Sequence, residues 1–312
     1  MDELEKIPNY SGWLSVVPIE KGWSSDKKFR IQTEEGEYLL RQFEKDQLEK
    51  KRKEFEVLQL VAQLDLNTPA PICCEEIPNS SRAYLLHTYV EGNDLSEYLP
   101  QASLSEQYLL GQEAGQALTK IHQVPIPSVL STTDSTTVFR ELYTKKKRQL
   151  QAYVDSAFEL AGQDGMITYV QQQLERVPNR PACLLHGDFH VGNFVYQENQ
   201  PLGIIDFDRW DIGDAYEEFY KIQLFSREVS PAFARGQMDG YFSNQVPQAF
   251  WEAQKLYTMH AALYSIIWAL PYGEKDVTGM IDRFQQMSED YTQGTQLIPK
   301  WYQELDAQLI VD

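Results

Sequence analysis

The chain has 312 residues, 42% of them hydrophobic, with 28 Lys and Arg against 46 Asp and Glu and a formal charge of −18. This length and apolar content predict about two lobes with sizeable cores. The charge argues against a nucleic-acid partner, because phosphate backbones need Lys and Arg, and an acidic surface favours cationic ligands.

Three cysteines, Cys73, Cys74 and Cys183, make neither a disulfide framework nor a zinc spacing. They read as reduced thiols of a cytoplasmic protein. The stretch Met1-Asp-Glu-Leu-Glu-Lys6 lacks a basic region before an apolar core, so no signal peptide is expected. The longest apolar stretch, residues 261–270, is broken by Ser265 and is too short to cross a bilayer. No membrane partner is expected.

In chain order, residues 13–19, 28–32 and 38–43 read as strands of a meander, with turns at 20–26 and 33–36. Residues 45–64 read as a helix, with Leu48, Phe55, Leu58, Val61 and Leu64 at mostly three- and four-residue spacing. The basic run 50–53 reads as its solvated face. Residues 72–77 and 83–90 read as strands around a turn at 78–82. Helices are then predicted over 105–123, 138–160 and 166–176, the run 145–148 again a solvated face. Five more follow, over 215–228, 232–242, 247–270, 276–293 and 299–310. The long one carries Phe250, Trp251, Tyr257, Tyr264 and Trp268, a stripe that reads as core.

The chemistry is concentrated between these helices. Leu184-Leu-His-Gly-Asp-Phe-His-Val-Gly-Asn-Phe-Val-Tyr196 places two apolar runs around a polar loop, and Gly203-Ile-Ile-Asp-Phe-Asp208 follows. Asp188 and Asn193 lie five residues apart, and Asp206 follows thirteen residues later. This spacing suits phosphoryl transfer, in which one carboxylate receives the proton of an attacking hydroxyl while an amide and a second carboxylate hold Mg²⁺ against nucleotide phosphates.

His186-Gly-Asp-Phe-His-x-Gly-Asn193 with Ile205-Asp-Phe-Asp208 resembles the aminoglycoside phosphotransferase family, whose protein-kinase-like members include choline, homoserine and macrolide kinases. The resemblance implies an α+β, two-lobed protein-kinase-like fold. A small antiparallel-sheet N-terminal lobe would cover 1–91, and a larger, mainly helical C-terminal lobe 92–312. Asp188 falls on the family's catalytic base, Asn193 and Asp206 on its Mg²⁺ ligands, and His186 on the histidine that supports the loop. Asp208 either reaches a second metal site or caps a turn. Asp214, in Gly213-Asp214, supports the following helix as an N-cap.

In the first lobe the resemblance places Arg41 where the fold usually carries the lysine that binds α and β phosphates. Guanidinium can serve there, since it binds phosphate bidentately. Glu54 matches its helix partner; Glu56 lies about 200° further round the helix. The turn holding Gly22, Ser24 and Ser25 would lie over the phosphates, and backbone groups near Thr88, Tyr89 and Val90 would meet the base.

Mg²⁺ and ATP or GTP are thus the implied cofactor and donor. The acceptor is a small hydroxylated molecule, aminoglycoside-like and cationic. A housekeeping metabolite kinase of choline, homoserine or sugar-amine type is the alternative, and a nucleotide-binding pseudokinase a further one. A protein kinase is disfavoured because few residues separate Asp206 from the next helix. Glu217, Glu218, Asp239, Glu252, Glu274 and Asp276 are candidates for contacting the acceptor.

Overall fold

The computed structural model describes residues 3–20, 26–176 and 180–305. The chain divides into two compact units. The first comprises residues up to Asn93 together with Pro127–Leu130 and Val195–Trp210, and the second the remainder. The division therefore does not follow chain order past residue 93: the segment carrying Asp206 and Asp208 belongs to the first unit.

In the first unit, β1 (Ser15–Ile19), β2 (Lys27–Gln32), β3 (Glu37–Glu44), β4 (Pro71–Glu76) and β5 (Arg82–Thr88) form one antiparallel sheet in the order β1-β2-β3-β5-β4. Lys28 lies opposite Arg41, and Leu39 opposite His87. Side chains alternate between faces along a strand, so Lys28, Leu39, Arg41 and His87 share one face. Ile31, Leu40 and Tyr84 lie on the other, where they pack with Leu4 and Ile7 into a buried cluster. A register slip of one residue would exchange these two sets.

Helix α1 (Leu48–Val61) carries its buried side chains at Leu48, Lys51, Glu54, Leu58 and Val61, with Val57 beside them. These steps of three and four follow the helical repeat, so two charged residues ride on the apolar stripe and are delivered inward. Within the basic run 50–53, Lys50, Arg52 and Lys53 are exposed, but Lys51 is buried. The solvated-face reading fails there because Lys51 lies on the helix's inner stripe.

The second unit is helical, with α2 (Leu95–Tyr98), α3 (Leu104–His122), α4 (Ser135–Val154), α5 (Gln163–Gln173), α6 (Arg227–Val229), α7 (Pro231–Tyr241), α8 (Gln248–Ala269), α9 (Glu274–Asp290) and α10 (Lys300–Glu304). The antiparallel-sheet unit and the larger helical unit are those the resemblance implied. Asp134 accepts from the Thr137 N–H and Ser103 from the Glu106 N–H, which sets the starts of α4 and α3; such caps stabilise a helix by about 1 kcal/mol each. The helix expected over 215–228 is instead a 3₁₀ turn at Glu217–Phe219, a π turn at Ile222–Ser226 and short α6. The last predicted helix is described only as α10, since residues beyond 305 lie outside the described set.

Two packing features hold this unit together. Leu256, Met259, Leu263 and Ile266 of α8 form a core with Leu150 and Tyr153 of α4 and Phe284 and Met287 of α9. Phe250, Trp251 and Tyr257 are buried as the core reading requires. Helices α3 and α7 approach so closely that a Cβ on Gly111 would lie 2.2 Å from the Phe233 carbonyl oxygen, and one on Gly115 2.2 Å from that of Gln237. Only glycine permits that separation.

Candidate active site

The loop of the second unit starts from strand Cys183–Leu185, which pairs with Asp211–Gly213. Gly187 turns the chain at φ +80°, a conformation glycine adopts without a Cβ clash. Glu218, itself buried, accepts the N–H of His186 at 3.0 Å and also that of Gly187. His122 donates to the same carboxylate through Nε2–H (3.0 Å), and its Nδ1 meets the Tyr241 hydroxyl (2.9 Å). Two consecutive backbone amides are thereby anchored from below. His186, fully buried, accepts the Asp188 N–H on Nδ1 (3.2 Å), so it supports the loop as expected.

Downstream, the Asn193 amide nitrogen donates to the Asp188 carbonyl (2.8 Å), and its backbone N–H to the His190 carbonyl. Because the amide NH₂ is turned into the loop, the side-chain oxygen is the end available to a metal. The π turn supplies the far side: Ser226 Oγ accepts the Val191 N–H (3.1 Å), and Lys221, just before the turn, brings Nζ to 2.6 Å from Asp188 Oδ1. π turns recur at functional sites because they re-aim one side chain. Burial alone would push the Asp188 carboxyl up. The Lys221 ammonium, with His190, outweighs it and holds the group well below the usual carboxylate range. Asp188 is therefore an anion at neutral pH, in the form that can receive a proton.

Asp214 anchors the segment after the loop. Its carboxylate accepts from Arg180 Nε (2.9 Å), the Tyr216 N–H (3.0 Å) and the Tyr257 hydroxyl (2.6 Å). It is not a helix N-cap: the 3₁₀ turn that follows starts from Tyr216 with no side-chain cap, and Asp214 instead ties the segment before that turn to α8 through Tyr257.

The first unit contains a cavity lined by one sheet face and by the returning segment: Lys28, Leu39, Arg41 and His87 on one side, Val195, Ile205, Asp206 and Phe207 on the other. Ile204 donates to the Asn67 carbonyl (2.9 Å), which aligns the strand leading to Asp206. Asp206 has φ +67°, ψ +65°, a left-handed backbone uncommon outside glycine. Such strain clusters where function requires a side chain in a set direction.

Arg41 and Glu54 form the expected ion pair. The guanidinium also donates to Asp26 through Nε (3.1 Å) and Nη2 (2.7 Å), and to Asp208 at 3.3 Å. Lys51 bridges Asp26 (2.7 Å) and Glu54 (3.1 Å). Asp208 is thus tied to Arg41, and burial together with the neighbouring Asp206 charge pushes its carboxyl up to about 6. Two carboxylates that repel one another suit a divalent cation. Among the described residues no group of three or more His, Cys, Asp or Glu could hold a metal unaided. Mg²⁺ does not require one, since it takes one or two carboxylates and completes its shell with water and phosphate.

Of the hinge residues, Tyr89 and Val90 line the cavity but Thr88 does not. The Thr88 and Tyr89 N–H groups donate to the Ala70 and Glu37 carbonyls. Strand pairing therefore uses the amides of Thr88 and Tyr89, two of the three residues whose backbone was expected near the base. Ser24, Ser25 and Gly22 lie outside the described residues. Among the acidic acceptor candidates, Glu218 holds the loop, Glu217 pairs with Lys146 at 2.5 Å, and Asp239 pairs with Arg235 and accepts from the Tyr302 hydroxyl. These three serve the fold. Lys146 is buried, so the run 145–148 is not wholly a solvated face. Asp26, Lys28, Lys51 and Lys221 were not recognised as site residues from sequence, and Glu218 was read only as an acceptor candidate; their placement comes from contacts with distant segments.

Comparison with known proteins agrees with this arrangement. Aminoglycoside 3'-phosphotransferases of Salmonella typhimurium and Escherichia coli are each 25% identical over 170 residues, 54% of this chain and 61% of theirs. The chain thus matches less than two thirds of the length of these relatives. Among solved structures, the GDP complex of wild-type aminoglycoside 2'-phosphotransferase-IIIa aligns with TM-score 0.70 at 16% identity, covering 92% of this chain and 96% of that one. A related enzyme solved with GDP and kanamycin aligns with TM-score 0.71 at 18% identity, with the same coverage. These likenesses establish the protein-kinase-like fold. The model of the phosphotransferase enzyme family, APH, matches residues 15–253, a span that includes the Asp188 loop, the Asp206 segment and the Arg41–Glu54 pair; the chain belongs to that family.

Proposed function

We propose that this protein transfers the γ-phosphoryl group of ATP or GTP to a hydroxyl of a small molecule, with an aminoglycoside-like polycation as the acceptor. The observation that carries this reading is the placement of Asp188, with the Lys221 ammonium 2.6 Å from its Oδ1, on a loop whose two leading amides are fixed by Glu218. A carboxylate kept anionic on a rigid loop can orient a hydroxyl and take its proton as the new O–P bond forms. Asp206, with Asp208 beside it, supplies carboxylates for Mg²⁺, and Asn193 its amide oxygen. When bound, that ion neutralises charge on the phosphates and so favours the displacement. Lys28 and Arg41 both line the cavity, and positive charge on that wall suits a ligand that carries phosphates. Tyr89 and Val90 line it where a base would stack.

The acidic chain and its relatives support the polycationic acceptor. A second reading, a neutral or anionic hydroxylated metabolite, is favoured by Lys221. Its ammonium places positive charge beside the base, where an amino sugar would bring more of the same sign. Release of ADP or GDP in the presence of Mg²⁺, measured against aminoglycosides, macrolides, choline, homoserine and sugar amines, separates the two. Stimulation by one class that disappears in Asp188→Asn establishes the activity and its acceptor. Nucleotide binding without stimulated release by any acceptor would favour a pseudokinase.

A further inference from the structure

We infer that Lys28 of β2, and not Arg41 of β3, is the cation that meets the nucleotide's phosphates; this rests on the nucleotide-dependent reading above. Arg41 is 3% exposed. Its Nε and Nη2 are on Asp26, Nη1 is on Glu54, and Nη2 also reaches Asp208. To grip a phosphate it would have to leave buried carboxylates behind, and a buried charge that loses its partner strongly destabilises a protein. Lys51 is held in the same way between Asp26 and Glu54, and its side chain is 4% exposed.

Lys28 differs from both. Among the described residues, Lys28 and Arg41 are the lysine and arginine side chains that line the cavity. Strand pairing sets Lys28 directly opposite Arg41, so both project from the same sheet face. The Lys28 side chain is 13% exposed, and its ammonium lies 3.8 Å from Asp206 Oδ2, at the long end of ion-pair contact. It is thus beside the carboxylate assigned to Mg²⁺, on a flexible four-carbon stem with three rotatable donors. Counted together, Lys28, Arg41 and Lys51 face Asp26, Glu54, Asp206 and Asp208, three positive charges against four negative. Arg41 and Lys51 offset Asp26 and Glu54 inside the network. Lys28 stands at its edge, turned to the cavity. On this division Arg41 is a positioning residue that braces β3 against α1, and Lys28 is the group that touches substrate.

The test is the affinity of the whole protein for ATP and GTP with Mg²⁺, set against adenosine and guanosine, which lack phosphates. Lys28→Ala should weaken triphosphate binding by about 10- to 100-fold, the range of a charge-assisted contact. Nucleoside affinity should hold within about threefold and the melting temperature within about 2 °C, as for a partly exposed side chain. Lys28→Arg should recover most of the loss, and Lys28→Gln should behave as Lys28→Ala if either variant folds poorly. Arg41→Lys should lower the melting temperature while changing the triphosphate-to-nucleoside ratio less than Lys28→Ala does. An unchanged ratio in Lys28→Ala and Lys28→Gln, or the larger loss in a folded Arg41→Lys, overturns the assignment. A wild-type protein that binds neither triphosphate overturns the kinase reading itself, a result distinct from a silent Lys28 variant.

Discussion

Each unit of this molecule buries a cluster of charge, and the two clusters are built differently. In the sheet unit, Arg41 and Lys51 face Asp26 and Glu54, two against two, with every side chain at most 4% exposed. In the helical unit, Asp188 meets Lys221 and His190 with its side chain 16% exposed. The first network is closed: each charge has its partners, and a ligand could enter only by breaking them. The second is less enclosed, since the Asp188 side chain keeps 16% of its surface exposed. The same residue types thus brace a fold in one place and surround the proposed base in the other. Burial and charge balance decide which.

The sharpest test of this contrast is at the open cluster. Asp188→Asn should lower kcat by about 10³-fold or more, the scale of a lost general base. Nucleotide affinity and melting temperature should stay near wild type, as steady-state kinetics with parallel binding and thermal melts would show. Retained turnover would remove Asp188 from the chemistry.

The matching change at the closed cluster is Asp26→Asn. It strips Arg41 and Lys51 of a shared partner and should cost about 3–5 kcal/mol of stability, read from urea unfolding. The pH dependence has a defined sign. Burial alone would raise the Asp26 carboxyl, but Arg41 and Lys51 together pull it below its ordinary value. The stability it contributes is therefore present above the unfolded value, about 3.9, and is lost as pH falls through the folded one. The stability gap between wild type and Asp26→Asn should be widest near neutrality and close in acid. A gap independent of pH would mean that the loss is one of packing.

A smaller effect is expected at Lys221. Lys221→Met should reduce kcat by about 10-fold, since a neighbouring charge shifts a carboxylate by one to three pK units. That is well short of the Asp188→Asn loss, and an equal loss would make Lys221 a direct participant. Smallest in its effect on turnover is Gly115→Ala, where the added methyl meets the Gln237 carbonyl. Overpacking against backbone should cost about 3 kcal/mol of stability with kcat unchanged. A change in kcat there would show that the α3–α7 contact reaches the loop.

What could be read in the sequence follows from range. The strands and most helices were legible because alternation and three-to-four spacing are properties of neighbouring residues. Asp188, Asn193 and Asp206 stand on one short stretch, and their chemistry needs that spacing. Glu54 was found because its pairing with Arg41 belongs to a recurring strand-helix arrangement. Where a local rule met a distant partner, reading failed. Lys51 looked like part of a solvated run until α1 turned it onto Asp26. Glu218 looked like an acceptor contact until it reached back to the amides of His186 and Gly187. The segment 215–228 carried a helical pattern, but the π turn that lets Ser226 meet Val191 interrupted it.

The order of residues by itself determined most of the secondary elements and the family, and singled out Asp188 as the candidate base, because each rests on groups fewer than about twenty positions apart. Only the tertiary structure decided which charges are braced and which are exposed. Arg41 and Lys28 carry the same sign thirteen residues apart in the chain. Sheet pairing set them side by side on the cavity wall, and burial beside Asp26 and Glu54 enclosed Arg41 more than Lys28. No local pattern encodes that difference, since it depends on the summed field of residues brought together from 26 to 208.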